Sequence, residues 1–260
     1  MSTQNKLLKL ISGTTLLAVV AIAMQPMQVD AASSKKIRVR ISHARELLGG
    51  AYKKSAVRKT EAQDDVSGFV TAATQRFLPK AFKAKAPAVA KAILEESEKY
   101  GFDPIFLMAV IQNESSFNPK LKGGVGEIGL MQIKPDTAEW IAKRYKIKYS
   151  GAESLYDPEI NVRIGAAFIY KLRNQFESKS RLYLSAYNIG AKKVRRLVSG
   201  KKSPKIYVMA VMKRYLAIYT AMSAKGDHKL HAQKAWLAVS NVTSAATAAA
   251  ANAIQHVVSN

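Results

Sequence analysis

Glu114 stands where a carboxylate could do acid–base chemistry. The stretch it closes begins with a helix start, Asp103 as N-cap and Pro104 at the first helical position. Seven consecutive apolar residues, Ile105 to Ile111, follow, so this helix has no wet face and is expected to be buried. Glu114 lies three and four residues after Ile111 and Val110, on the same side. Burial and the negative end of the helix dipole both oppose its ionisation and raise its pKa. A carboxyl group kept protonated near neutral pH can act as a general acid. Just beyond it Gly123, Gly124, Gly126 and Gly129 form a turn in which backbone can come close to whatever Glu114 faces. For an arbitrary Glu near a helix end a solvated side chain is the better bet; these neighbours reverse the odds.

The elements that must position this group read as helices. Ala88 to Tyr100 places Val89, Ala92 and Ile93 on one face and is stopped by Gly101. A helix opening at Pro135 carries Ala138, Trp140, Ile141 and Tyr145. Asp157-Pro158 repeats the start signal of Asp103, and Ile160, Ile164, Ala167, Phe168 and Leu172 form the stripe behind it. Leu182 to Asn188 is a further apolar helix ended by Gly190, and Tyr207 to Met222 is the last. No convincing alternating run interrupts residues 87–222, so the expected fold class is all-α, packed around the Asp103 helix.

Three segments carry a resemblance. ESSFNP from Glu114, GEIGLMQI-x-P-x-TA from Gly126 and SAYNIG from Ser185 closely resemble, in order, the signature segments of the SLT-type lytic transglycosylases, peptidoglycan-cleaving relatives of goose-type lysozyme. The resemblance covers about half the chain and implies a lysozyme-like helical domain over residues 87–222. It implies Glu114 as the catalytic residue. It also implies that Gln132 lines the sugar cleft opposite Glu114 and that Tyr187 and Asn188 sit beside the carboxyl group. Tyr207, matching a recurrent tyrosine near the last helix, and Ser116 of the first segment complete the expected substrate-binding set. Two departures stand out: Gly123 occupies a position where the family commonly has Ser, and the basic segment from Ala191 to Lys205 is shorter than usual.

An ordinary glycosidase uses two carboxylates about 5 to 9 Å apart. Glu127 and Asp136 are the nearby candidates for a second member, but Glu127 falls where the family has a small or variable residue and is not assigned. The resemblance implies a single-acid mechanism instead. Glu114 protonates the glycosidic oxygen between N-acetylmuramic acid and N-acetylglucosamine. It then deprotonates the C6 hydroxyl of the same muramic acid, closing a 1,6-anhydro ring without consuming water. The nucleophile is already attached to the substrate, so a second carboxylate is dispensable. No metal or organic cofactor is implied. A hydrolase on the same fold would share Glu114 and differ in its product, and a non-catalytic peptidoglycan-binding protein is a further alternative.

The chain of 260 residues carries a formal charge of +23, which favours anionic partners such as nucleic acid, lipid headgroups or wall polymers. An export signal and three ordered cleft segments argue for peptidoglycan, with anionic wall polymers or envelope proteins as further partners, and against nucleic acid. The absence of cysteine excludes disulfides, thiol catalysis and a lipidated Cys. None of His43, His228, His231 and His256 lies between residues 87 and 222, which excludes a His-dependent triad or His-rich metal site within those limits.

Residues 1–31 read as a signal peptide, with Lys6 and Lys9 before an apolar run of nine residues and Val29-x-Ala31 at the cleavage site. That run is far short of the roughly 20 residues that span a bilayer, so no membrane span is expected after removal. Export to the periplasm or cell envelope follows. Residues 32–86 read as a basic arm, flexible or loosely helical, in which Lys35 to Ile41 alternates like a half-exposed strand. Residues 223–260 read as an Ala-rich tail, helical by Ala propensity or frayed, with His228 and His231 at its surface.

Overall fold

Asp103 and Asp157 start their helices by one device. In the computed structural model, which describes residues 31–61, 66–201, 205–224 and 226–241, Asp103 Oδ1 accepts from the N–H of Ile105 at 2.9 Å. Asp157 Oδ1 accepts from Glu159 and Ile160. A proline follows each cap, where its missing N–H costs nothing. The described residues 31–35 belong to a separate unit, seen only as the start of a helix, and the packing that follows is that of residues from Lys36 onward.

Among the described residues the regular elements are all helices, joined by turns and loops, with isolated bridges that join Ile128 to Lys122 and Ile133. Helix α1 is Ala31–Leu48, followed by a 3₁₀ turn, the short α2 (Ala56–Lys59) and α3 (Val66–Phe77). Helices α4 (Ala86–Tyr100) and α5 (Pro104–Ser115) come next, then α6 (Pro135–Tyr145) and α7 (Pro158–Gln175). The remainder are α8 (Ser180–Ile189), α9 (Ala191–Ser199), α10 (Ile206–Met222) and α11, residues 228–241. Every residue of α5 from Pro104 to Gln112 is buried, and α3, α4 and α10 pack against it. The all-α architecture around this helix agrees with the sequence reading.

Residues 36–61 and 66–86 pack into the core, where the sequence reading expects a flexible or loosely helical arm. Lys35 to Ile41 lies in a helix, not a strand, and α1 buries Arg40, His43, Ala44 and Leu47 at helical spacing. Two of those four are polar, which is why apolar periodicity missed the stripe. Each has a reason to be inside. The Asp103 N–H donates to His43 Nδ1 at 3.0 Å, and His43 Nε2 faces the Tyr183 hydroxyl at 3.2 Å. Arg40 donates to Tyr219 Oη and to the carbonyls of Thr60 and Glu61. Phe69, Val70, Ala73 and Phe77 of α3 also lie in the core.

The tail is corrected in the same way over its described part. Ala232, Ala235 and Val239 of α11 are buried, Trp236 meets the Phe77 ring at 5.3 Å, and His231 is 8% exposed rather than a surface residue. Ala-rich stripes carry too little hydropathy to announce themselves. The core therefore extends beyond residues 87–222 on both sides. The expected signal peptide, apart from Ala31, and residues 242–260 of the tail lie outside the described residues.

His43 gives this packing a pH dependence. Burial, and then the nearby Arg173 charge, hold its pKa well below 6.5. The unfolded chain therefore takes up a proton near pH 6.5 that the folded chain refuses, and stability falls as pH drops below that value. Glu46, whose carboxylate lies 4.0 Å from His43 Nε2, is paired with Arg173 and does not reverse the direction. Thermal melts between pH 7.5 and 5 should show the wild type losing stability relative to His43→Gln as pH falls, the opposing gain from Glu114 being common to both. Equal slopes would contradict the assignment.

Candidate active site

The glycine-rich turn is folded by backbone bonds of its own. The Gly123 N–H donates to Glu127 O at 2.7 Å, the Gly129 N–H to Leu121 O at 2.9 Å, and Ile128 and Ile133 exchange a pair at 3.0 and 3.1 Å. Asn161, fully buried on α7, fixes the turn against the domain. Its Oδ1 accepts from the Met131 N–H at 2.7 Å, and its Nδ2 donates to Ile128 O and Leu155 O. Gly129 is required there: its φ is +81°, and a Cβ would fall 2.3 Å from Asn161 Nδ2. The other attachment is Ser115, whose hydroxyl donates to Leu130 O at 2.7 Å and so joins the end of α5 to the turn.

Glu114 sits half-buried in the last turn of α5, at the wall of a cleft of about 530 Å³. Gln132, Tyr187 and Asn188 line the same cleft, as do Val125, Glu127 and Lys134. The Tyr207 hydroxyl, from the first turn of α10, donates to Glu114 Oε1 at 2.5 Å. Burial pushes the Glu114 pKa up to about 7. Hydrogen bonds from Tyr207 and Asn113 and the charge of Arg214 pull against the rise, while the Glu127 charge adds to it. Burial, then the neighbouring Glu114 charge, raise the Tyr207 pKa well above 10, so this phenol remains a donor.

The remaining expected residues take different places. Tyr187 does not reach Glu114 with its hydroxyl, which donates to Met131 O at 2.7 Å; its ring stacks on Tyr207 at 6.5 Å and meets Phe168 at 5.3 Å. Gln132 spends its amide N–H groups on Leu121 O and Gly129 O. Asn188 is exposed at the rim. Ser116 is exposed at the C-cap of α5 with φ 51°, and the cleft lining is made by other residues; its neighbour Ser115 does the fastening. Sequence reasoning missed Asn161 and left Glu127 unassigned. A polar residue one place off the apolar stripe of α7 was the available sign of the first. Nothing in the spacing marked the second.

Residues 91–210 match the transglycosylase SLT domain. They form an SLT-type domain. The membrane-bound lytic murein transglycosylase C of Haemophilus influenzae is 35% identical over 124 residues, 44% of this chain and 35% of that protein. The soluble lytic murein transglycosylase of Escherichia coli is 41% identical over 91 residues, 35% of this chain and 14% of that protein. The chain thus spans about a third or less of the length of these relatives. The solved lytic transglycosylase Slt of Pseudomonas aeruginosa aligns over 64% of this chain and 27% of its own, at 25% identity and a TM-score of 0.47. Within this SLT domain lie Glu114, the turn, α8 and the first turn of α10. Outside it lie α1 to α3, of which α1 and α3 pack on the same central helix and α2 packs on α10.

The raised pKa of Glu114 has a cost that can be measured. A carboxyl at about 7 in the folded chain and 4.5 in the unfolded one contributes stability below pH 4.5 that is lost as pH rises through 7. Above pH 7 the charged Glu114 costs about 3–4 kcal/mol, at about 1.4 kcal/mol per pKa unit. Glu114→Gln should therefore melt several degrees higher than the wild type at pH 8, and at nearly the same temperature at pH 4.5. A variant that melts lower at pH 8 would contradict the assignment.

Proposed function

We propose that the chain is a peptidoglycan lytic transglycosylase in which Glu114 performs both proton transfers. The observation that carries the reading is a carboxyl group with a pKa of about 7 in a cleft inside an SLT domain. Near neutral pH a large fraction of Glu114 is protonated and ready to donate to the oxygen between N-acetylmuramic acid and N-acetylglucosamine. As the bond breaks, positive charge grows on the muramic acid and the substrate's own N-acetyl group shares it. The Tyr207 hydroxyl, at 2.5 Å, stabilises the carboxylate left behind and fixes its orientation. That carboxylate then takes the proton of the C6 hydroxyl, which closes the 1,6-anhydro ring and returns Glu114 to its starting state. Gln132, Tyr187 and Asn188 line the cleft as contacts for the glycan, and no metal or organic cofactor enters the scheme.

Export through residues 1–31 would bring the enzyme to the periplasm or cell envelope, where its substrate lies. Among the described residues no helix is long and apolar enough to cross a membrane. The excess positive charge, including the exposed Lys192, Lys193 and Arg196 of α9 next to the cleft residue Gly190, suits an anionic wall.

Mass spectrometry of the products from purified peptidoglycan tests the reading. The expected products end in 1,6-anhydro-N-acetylmuramic acid, one water lighter than those of a lysozyme. Reducing ends alone would transfer the site to the hydrolase reading. Glu114→Gln should remove activity by about 10⁴-fold or more, since a single proton-transfer role typically contributes about 10²–10⁴-fold. An active Glu114→Gln enzyme would defeat the assignment whatever the product.

A further inference from the structure

Gly123 has no backbone reason to be glycine, since its φ is not among the positive ones. Its reason is space. A Cβ at this position would lie 2.5 Å from Glu127 Oε2 and 2.8 Å from Gln132 Oε1. Two acceptor oxygens, one of them anionic, therefore converge on the volume that the missing side chain leaves. Gln132 is held in that orientation because its Nε2 donates to Leu121 O at 3.1 Å and to Gly129 O at 2.9 Å, which leaves Oε1 as the free end of the amide. Glu127 is held by the Val125 N–H, 3.3 Å from Oε2, and by Lys134 Nζ, 3.7 Å from Oε1. Two converging acceptors repel each other unless a donor lies between them. Both residues line the cleft of Glu114, so the donor that fits is one that enters this cleft.

We propose that Glu127 is a substrate-contacting residue, and that with Gln132 Oε1 it forms a paired acceptor seat for a saccharide hydroxyl or N-acetyl N–H. This rests on reading the cleft as a glycan site. The seat explains why a carboxylate is carried on the glycine turn, close enough for its charge to be felt by Glu114. Its role is to orient the sugar and not to transfer a proton, since the chemistry proposed above is complete with Glu114 alone. Gly123 is the counterpart of the seat, because any larger residue would fill it.

Steady-state kinetics on purified soluble glycan strands test the proposal, with melting temperatures as a control on folding. Hydrogen bonds to a charged group contribute about 1.5–3 kcal/mol, so Glu127→Ala should raise KM by about 10–100-fold while kcat stays within a few-fold of wild type. Glu127→Gln, which keeps one acceptor oxygen, should fall between. Gly123→Ala, whose methyl enters the seat, should reproduce the KM of Glu127→Ala, and the double variant should be little worse than either single one. An unchanged KM in Glu127→Ala, a loss confined to kcat, or fully additive effects would overturn the seat. Binding of an N-acetylglucosamine hexamer by calorimetry separates this from failure of the proposed activity. Glu114→Gln should bind it about 10–100-fold more tightly than Glu114→Gln/Glu127→Ala, even if the wild type released no product. Equal affinity, or no binding by either, would also overturn the seat.

Discussion

Two carboxyl groups stand at opposite ends of one dry helix, and a single neighbouring helix supplies hydroxyls to both. At the start of α5, Asp103 Oδ2 accepts from Tyr215 at 2.7 Å and Tyr219 at 2.6 Å. At its end Glu114 accepts from Tyr207. All three tyrosines belong to α10, so the two helices run antiparallel and are clasped at each end by phenol–carboxyl hydrogen bonds. Asp103 is fully buried, and burial raises its pKa against the opposing pull of Arg40 and the two phenols. A buried acid of this kind is costly unless every oxygen is satisfied, and here each is. The anchoring end of α5 is thereby fixed, and the position of Glu114 follows from it.

The same constraint accounts for the packing of α1. Its Arg40 reaches the Tyr219 hydroxyl, and its His43 accepts the Asp103 N–H, so α1 closes the network that starts the central helix. Arg173 of α7, bonded to Glu46 of α1 and to the carbonyls of Tyr100 and Gly101, ties the α4–α5 junction to the same place. The segment before residue 87 is thus part of what holds the acid still. At the other end the chain is built for exposure to ligand: Ser115 and Asn161 hold the glycine turn close, and the cleft opens between that turn and α8.

Much of this was legible in the amino-acid sequence, for physical reasons. Asp-Pro caps are local signals, and a helix apolar on all sides has nowhere to lie but the core. Those two facts placed Glu114 at the end of a buried helix and gave the direction of its pKa. What escaped were residues whose burial depends on partners far along the chain. Arg40 and His43 look like surface residues until Tyr219 and Asp103, more than fifty positions away, satisfy them. Alanines in α11 look like filler until Phe77 and Trp236 define a surface for them. Glu127 escaped because its meaning lies in the absent side chain of Gly123, and space is not written in composition or periodicity.

The account turns on the protonation state of one side chain. Carbon-13 NMR titration of glutamate-labelled protein, with the Glu114 resonance assigned by its loss in Glu114→Gln, measures that directly. A carboxyl titrating near pH 7 is the expected result. A Glu114 that titrates in the ordinary carboxylate range near 4.5 would mean that the end of α5 is wet, and the acid–base role assigned to it would not stand.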